Sequence, residues 1–227
     1  MPSQPVAAGS RVTLRVVRNL EDARLYFVCG ARPGGRALEG VLRPALAGGV
    51  DLFQLREKEA DDETILRHAE VARRLCDEAG ATFVLNDRPD LVERAGADGV
   101  HVGQDDTPVD EARSAVGRER IVGLSTHSNV QVDGARGADV DYFAVGPVHA
   151  TPTKQGRPAI GLGPIEHAAR TVGDARPWFA IGGLDPATTQ AVLDAGARRI
   201  VVVRAIAEAD DPGAAARTLR RLIEQTG

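Results

Sequence analysis

Five times along the chain a helical pattern stops on the same kind of phrase: LAGGVD (46–51), CDEAGAT (76–82), ERAGADGV (93–100), GARGADVDY (134–142) and LDAGARRI (193–200). In each, a glycine can take the left-handed conformation that ends a helix, and an apolar run follows at once. Punctuation of this kind commits the chain to alternating helices and strands.

The apolar runs are short and rich in β-branched and aromatic residues: RLYFVCG (24–30), DLFQLRE (51–57), TFVLND (82–87), GVHVG (99–103), IVGLST (121–126), DYFAVGP (141–147), WFAIGG (178–183) and RRIVVVRAI (198–206). Between them the clearest helical patterns are 62–80, 185–197 and 211–225. Each opens on an Asp able to cap the helix, and the last two carry Pro in the first turn. Strands apolar on both faces suit a parallel sheet covered on both sides. Roughly eight βα units in one run of about 200 residues fit a closed barrel better than an open doubly wound sheet. The predicted architecture is therefore α/β, a single (β/α)8 TIM barrel over residues 21–227. An N-terminal extension, residues 1–20, precedes it and starts on Pro, Ser and Gly.

Composition narrows the function. With 43 % hydrophobic and 26 % charged residues the chain can bury a sizeable core. A net charge of -4, with both signs mixed along the chain, offers no basic stripe for nucleic acid. No apolar run approaches the ~18–20 residues that cross a bilayer, and the N-terminus lacks the charged and apolar regions of a secretory signal. The expectation is a cytoplasmic protein with small-molecule partners, and association into a homo-oligomer is left open. Cys29 and Cys76 are far apart and form neither a disulfide framework nor a metal spacing, so both are read as packing residues.

In a barrel of this kind the chemistry gathers where strands end at their C-terminal side. Strand two ends QLREK, where alternation turns Gln54, Arg56 and Lys58 to one side and Leu55 and Glu57 to the other. Asn86 and Asp87 end strand three, and Asp105 and Asp106 lie just past strand four. A few carboxylates on adjacent loops, with room for water and phosphate, suit Mg²⁺, although the same residues are also good turn and cap formers. Ser125 and Thr126 end strand five. Strand six runs into GPVHATPTKQG (146–156), with Thr151, Thr153 and Lys154 on glycine-flanked backbone. Hydroxyls and an ammonium there can bind phosphoryl oxygens without transferring a proton. A Ser125–His127–Asp87 triad is disfavoured, because no nucleophile elbow is present. Gly182 and Gly183 in IGGLDP, with the backbone near Arg204 after strand eight, suit a second phosphate. The strand ends thus present two anion demands, one for a pyrophosphate with metal and one for a monophosphate without it.

Taken in order, QLREK, LND, GVHVGQDD, GLSTHS, GPVHATPTKQG and AIGGL resemble the thiamine phosphate synthase (thiamin-phosphate pyrophosphorylase) family over about residues 24–206. The resemblance implies a transferase that joins an aminopyrimidine methyl pyrophosphate to a thiazole monophosphate and releases pyrophosphate with Mg²⁺. It implies that Gln54, Arg56, Lys58, Asn86, Ser125 and Lys154 hold the pyrimidine pyrophosphate, with Arg56, Lys58, Ser125 and Lys154 taking part in catalysis. It further implies Asp87 and Asp106 as Mg²⁺ ligands, and Thr151, Thr153, Gly183 and the Val203–Arg204 backbone as the thiazole phosphate site. One departure stands out: many family members carry Ser where this chain has Arg204. The same barrel could also serve a thiazole tautomerase or a non-catalytic sensor of thiamine precursors. The joint presence of Gln54, Arg56, Lys58, Asp87, Asp106 and Lys154 argues against both.

Overall fold

A computed structural model of the protein describes residues 20–151 and 158–226. Eight parallel strands close into a barrel in chain order: β1 (Leu25–Cys29), β2 (Leu52–Leu55), β3 (Thr82–Asn86), β4 (Gly99–Val102), β5 (Ile121–Thr126), β6 (Tyr142–Val145), β7 (Trp178–Ile181) and β8 (Ile200–Val202). The closing pair aligns Leu25 of β1 with Ile200 of β8. The helices are α1 (Leu38–Ala47), α2 (Asp62–Ala79), α3 (Val109–Val116), α4 (Asn129–Gly137), α5 (Gly163–Thr171), α6 (Thr189–Asp194), α7 (Arg204–Ala207) and α8 (Pro212–Glu224). The unit between β3 and β4 has only a 3₁₀ turn at Pro89–Leu91 and the turns that follow it, so helix and strand do not alternate everywhere.

The expected helix boundaries shift where capping chemistry moves them. Asp61, one residue before the predicted start, caps α2 by accepting from the Thr64 amide. The segment predicted to open at Asp185 first forms a turn in which that carboxylate accepts from the Ala187 and Thr188 amides, and the helix begins four residues later. For α8, Asp211 accepts from the Ala214 amide and Pro212 occupies the first turn, as predicted. Of the five helix-ending phrases, four place a glycine at positive φ (Gly49, Gly80, Gly96 and Gly196). The exception is GARGADVDY, where α4 runs through Gly137 and extended backbone at Ala138 ends it.

Alternation sorts each strand into two layers. Phe27, Phe53, Phe83, Val100, Val122 and Phe143 face the helices in one large apolar cluster. Tyr26, Leu52, Val84, Ile121, Tyr142, Phe179 and Val201 fill the barrel lumen in a second. Gly123 makes room there for an aromatic ring, since a Cβ at this position would lie 2.2 Å from the Tyr142 ring.

The strand starts, at the bottom of the barrel, share a device that alternation alone does not reveal. Asp98 donates its amide to the Phe83 carbonyl and accepts the Phe83 amide on its carboxylate at 2.8 Å. The same carboxylate takes Arg73 from α2, also at 2.8 Å. Asp141 repeats this with Val122 and Arg113, and Asp51 with Leu25 and Arg220. Each clamp ties an even-numbered strand to its predecessor and to a helix, and its charge is matched by a guanidinium.

Candidate active site

A cavity of about 300 Å³ opens at the C-terminal ends of the strands. It is lined by Gln54, Arg56, Lys58, Asn86, Asp87, Asp106, Ser125, Thr151, Gly183, Val203 and Arg204. Thus eleven of the thirteen residues that the resemblance assigns to substrates or metal converge on one mouth, and Thr153 and Lys154 lie outside the described residues.

On strands β2 to β5 the lining is built from side chains. Gln54 is buried in the lumen while Arg56 and Lys58, two and four residues on, rise toward the rim. Glu57 points the other way, as expected, and accepts the Ala31 amide in the loop after β1. Among the described residues the side chains of Arg56 and Arg204 have no hydrogen-bonded or ion-pair partner, and both guanidiniums line the mouth, where an anion can meet them. Lys58 lies 3.3 Å from Asp87.

Asp87 has φ of 61°, a left-handed conformation that Asp tolerates better than most residues and that carries its carboxylate over the mouth. Asn86 donates to this carboxylate at 2.6 Å. Burial pushes the Asp87 carboxyl above the usual carboxylate range, and the adjacent Asp106 carboxylate pushes it further, against the opposing effect of Lys58. Asp106 is fixed by accepting the Gly103 amide at 2.9 Å. Two carboxylates crowded together form the oxygen-donor set that a hard divalent cation satisfies, and Mg²⁺ needs only one or two such ligands beside water and phosphate. Among the described residues no group of three or more His, Cys, Asp or Glu side chains is placed to hold a metal, and a two-carboxylate donor set leaves positions for water and phosphate oxygens.

On strands β6 to β8 the lining includes three glycines, Gly146, Gly182 and Gly183. Gly182 and Gly183 have φ of 114° and 65°, and a Cβ on Gly183 would lie 2.8 Å from the Cβ of His149. A Cβ on Gly146 would meet the Ile181 carbonyl at 2.0 Å. Bare backbone of this kind lets an anion approach peptide N–H groups closely. Asp185 also borders the cavity, but its carboxylate is occupied by the Thr188 and Ala187 amides, which hold it below the usual carboxylate range.

The histidine on Ser125 is His101, whose Nε2 lies 2.9 Å from Oγ. His127 instead bonds the Gly146 carbonyl through Nδ1. Behind His101 stands the Tyr142 hydroxyl, 3.0 Å from Nδ1, in place of the carboxylate of a nucleophilic triad. Reading along the sequence misses this contact, because Tyr142 passes for one more aromatic in an apolar strand. The Gly123 that accommodates its ring was the available signal.

The sequence profile of the family described as thiamine monophosphate synthase matches residues 25–206. The thiamine-phosphate synthase of Mycolicibacterium vanbaalenii is 49 % identical over 223 residues, covering 94 % of this chain and 100 % of that protein. That of Acidothermus cellulolyticus is 50 % identical over 199 residues, covering 87 % and 93 %. Among solved structures, thiamine phosphate pyrophosphorylase from Pyrococcus furiosus superposes with a TM-score of 0.82 at 29 % identity, covering 92 % of this chain and 99 % of its own. A TIM barrel with this mouth and these relatives is a transferase of thiamine biosynthesis, and the chain belongs to the thiamine monophosphate synthase family.

Proposed function

We propose that the mouth binds an aminopyrimidine methyl pyrophosphate on the β2–β5 side and a thiazole monophosphate on the β6–β8 side, and that the thiazole nitrogen displaces pyrophosphate to give thiamine monophosphate. The observation that carries this reading is the pairing of Asp87 with Asp106 beside Lys58 at a mouth that Arg56 also lines. Asp87 and Asp106 are the residues to hold Mg²⁺, which when bound neutralises charge on the pyrophosphate.

The attacking nitrogen carries a lone pair and no proton, so a general base is not required. Charge grows on the departing pyrophosphate as its bond to the pyrimidine methylene breaks. Arg56, Lys58 and Lys154 are assigned to meet that charge, and Ser125 to donate to one of its oxygens. Asn86 keeps Asp87 oriented, and Gln54 addresses the pyrimidine. The Gly183 and Val203–Arg204 backbone, with Thr151 and Thr153, holds the thiazole phosphate away from the leaving group. With Arg in place of a hydroxyl residue at 204, that phosphate gains a cation at its rim. The products leave as a thiazolium cation and pyrophosphate, which separates the charges formed in the reaction.

No helix among the described residues is long and apolar enough to cross a membrane. We place the enzyme in the cytosol, where its two buried cysteine thiols, Cys29 and Cys76, remain reduced. The deciding experiment supplies both substrates with Mg²⁺ and follows pyrophosphate and thiamine monophosphate together. Formation of both in equal amounts, abolished by chelation, is expected. Tautomerisation of a thiazole carboxylate phosphate without pyrophosphate release, or tight binding of the precursors with no product, would reject the assignment in favour of a tautomerase or a sensor.

A further inference from the structure

Five polar groups from five strands form one chain of hydrogen bonds across the lumen. Gln54 Nε2 donates to Tyr26 Oη at 2.5 Å, and Tyr26 Oη meets Tyr142 Oη at 2.9 Å. Tyr142 Oη lies 3.0 Å from His101 Nδ1, and His101 Nε2 lies 2.9 Å from Ser125 Oγ. All five residues are at least nine-tenths buried, with Tyr26 1 % and Tyr142 0 % exposed. Phe179 packs edge-on against both tyrosine rings, so phenylalanine would satisfy the packing at either position, and the hydroxyls are there for the chain they complete.

The polarity of this chain follows from the amide at its end. An amide nitrogen only donates, so the Tyr26 oxygen accepts and its one hydrogen passes to Tyr142. Tyr142 then gives its hydrogen to Nδ1. A neutral imidazole accepting at Nδ1 carries its proton at Nε2 and donates to Ser125 Oγ. The serine hydrogen is therefore not spent on the imidazole. With the amide reversed, every bond would run the other way and Ser125 would donate to His101. Burial pushes both phenols well above their ordinary range, so both remain protonated donors.

We propose that Tyr26, Tyr142 and His101 are positioning residues that commit Ser125 to act as a hydrogen-bond donor to the substrate's pyrophosphate. The proposal rests on the placement of the pyrophosphate beside Ser125 given above. It extends that placement by assigning the imidazole proton to Nε2, so that Ser125 Oγ accepts from His101 and its own hydrogen is not committed to the imidazole.

The imidazole ¹⁵N spectrum of the full-length ¹⁵N-histidine protein, with His101 assigned by its loss in His101→Gln, reports the tautomer directly. We expect protonation at Nε2 alone, and a mixture of tautomers in Tyr142→Phe. In kinetics, Tyr142→Phe should lower kcat about tenfold while leaving the KM for thiazole phosphate unchanged. Adding Ser125→Ala should then cost much less than it does in the wild type, because both changes act through one hydroxyl. A His101 protonated at Nδ1 alone overturns the polarity whatever Ser125 does. Full turnover in Tyr142→Phe, or strictly additive losses, overturns the coupling, and Tyr26→Phe repeats the kinetic test if Tyr142→Phe does not fold. Wild-type turnover in Ser125→Ala with the expected tautomer would instead refute the placement of Ser125 against pyrophosphate, and with it the functional half of the proposal.

Discussion

At the bottom of the barrel Asp51, Asp98 and Asp141 each accept a strand amide and a guanidinium, whereas at the mouth Asp87 and Asp106 crowd one another beside Lys58, the one cation paired with them among the described residues. The arginines divide in the same way. Arg73, Arg113 and Arg220 are bonded to carboxylates below, while the guanidiniums of Arg56 and Arg204 above have no partner among the described residues. The same residue types are complete at one end and incomplete at the other. The bottom stabilises the fold without a ligand, and under the proposed assignment the charges at the mouth are balanced when a cation and an anionic substrate bind.

This contrast makes opposite demands on mutations at the two ends. The largest effect expected is on turnover at the mouth: Arg56→Ala should lose roughly 10²–10³-fold in kcat, with the thermal midpoint little changed. Near-normal turnover would remove Arg56 from the reaction. Next, Asp98→Ala should lower the free energy of unfolding by about 2–3 kcal/mol in a denaturant titration, because it leaves the Phe83 amide without its acceptor and removes one of the two carboxylates on Arg73, which keeps Asp77. Turnover per folded molecule should hold, and a loss of activity larger than the loss of folded protein would erase the division between the ends.

Smaller is Gly183→Ala, which places a Cβ on a backbone with φ of 65° and against His149 at a cost of about 1–2 kcal/mol. Steady-state kinetics should show a raised KM for thiazole phosphate and an unchanged KM for the pyrimidine pyrophosphate. Equal effects on both would mean the two halves of the mouth are not separate sites.

The smallest effect has the most informative sign. Because the folded-state pKa of Asp87 is raised, its contribution to stability is fully present at a pH below the unfolded carboxylate value and is lost as pH rises through the folded value. At neutral pH, without metal, the ionised group therefore destabilises the fold. Asp87→Asn should raise the thermal midpoint of the metal-free protein at neutral pH and flatten its rise toward acid, while Asp98→Asn should lower it. Asn also tolerates the left-handed backbone at this position, so no strain opposes the gain.

Much of the mouth was legible in the sequence because strand ends announce themselves. The alternation of Gln54, Arg56 and Lys58 at the end of β2, and the polar residues just past β3, β4 and β5, needed only local periodicity. Contacts made by barrel closure were not legible. Asp51 meets Arg220 across 169 positions, and Tyr26 of β1 meets Tyr142 of β6 through the lumen, although those strands are not neighbours in the sheet. The missing helix between β3 and β4 follows the same logic. The short segment around Pro89 satisfies its backbone in 3₁₀ and turn bonds, whereas local spacing suggested another helical unit. The two halves of the mouth differ in legibility too, since side-chain motifs can be read directly but a backbone cradle is visible only through glycines with several possible reasons to be there.

The central claim is that the crowded mouth carboxylates are relieved by a cation that brings the pyrophosphate with it. Thermal unfolding in chelator, in Mg²⁺, and in Mg²⁺ with pyrophosphate, run side by side for wild type and Asp87→Asn, tests it most directly. The wild type should gain stability in Mg²⁺ and more with pyrophosphate, while Asp87→Asn starts higher and gains little. Equal gains for the two proteins would contradict the claim.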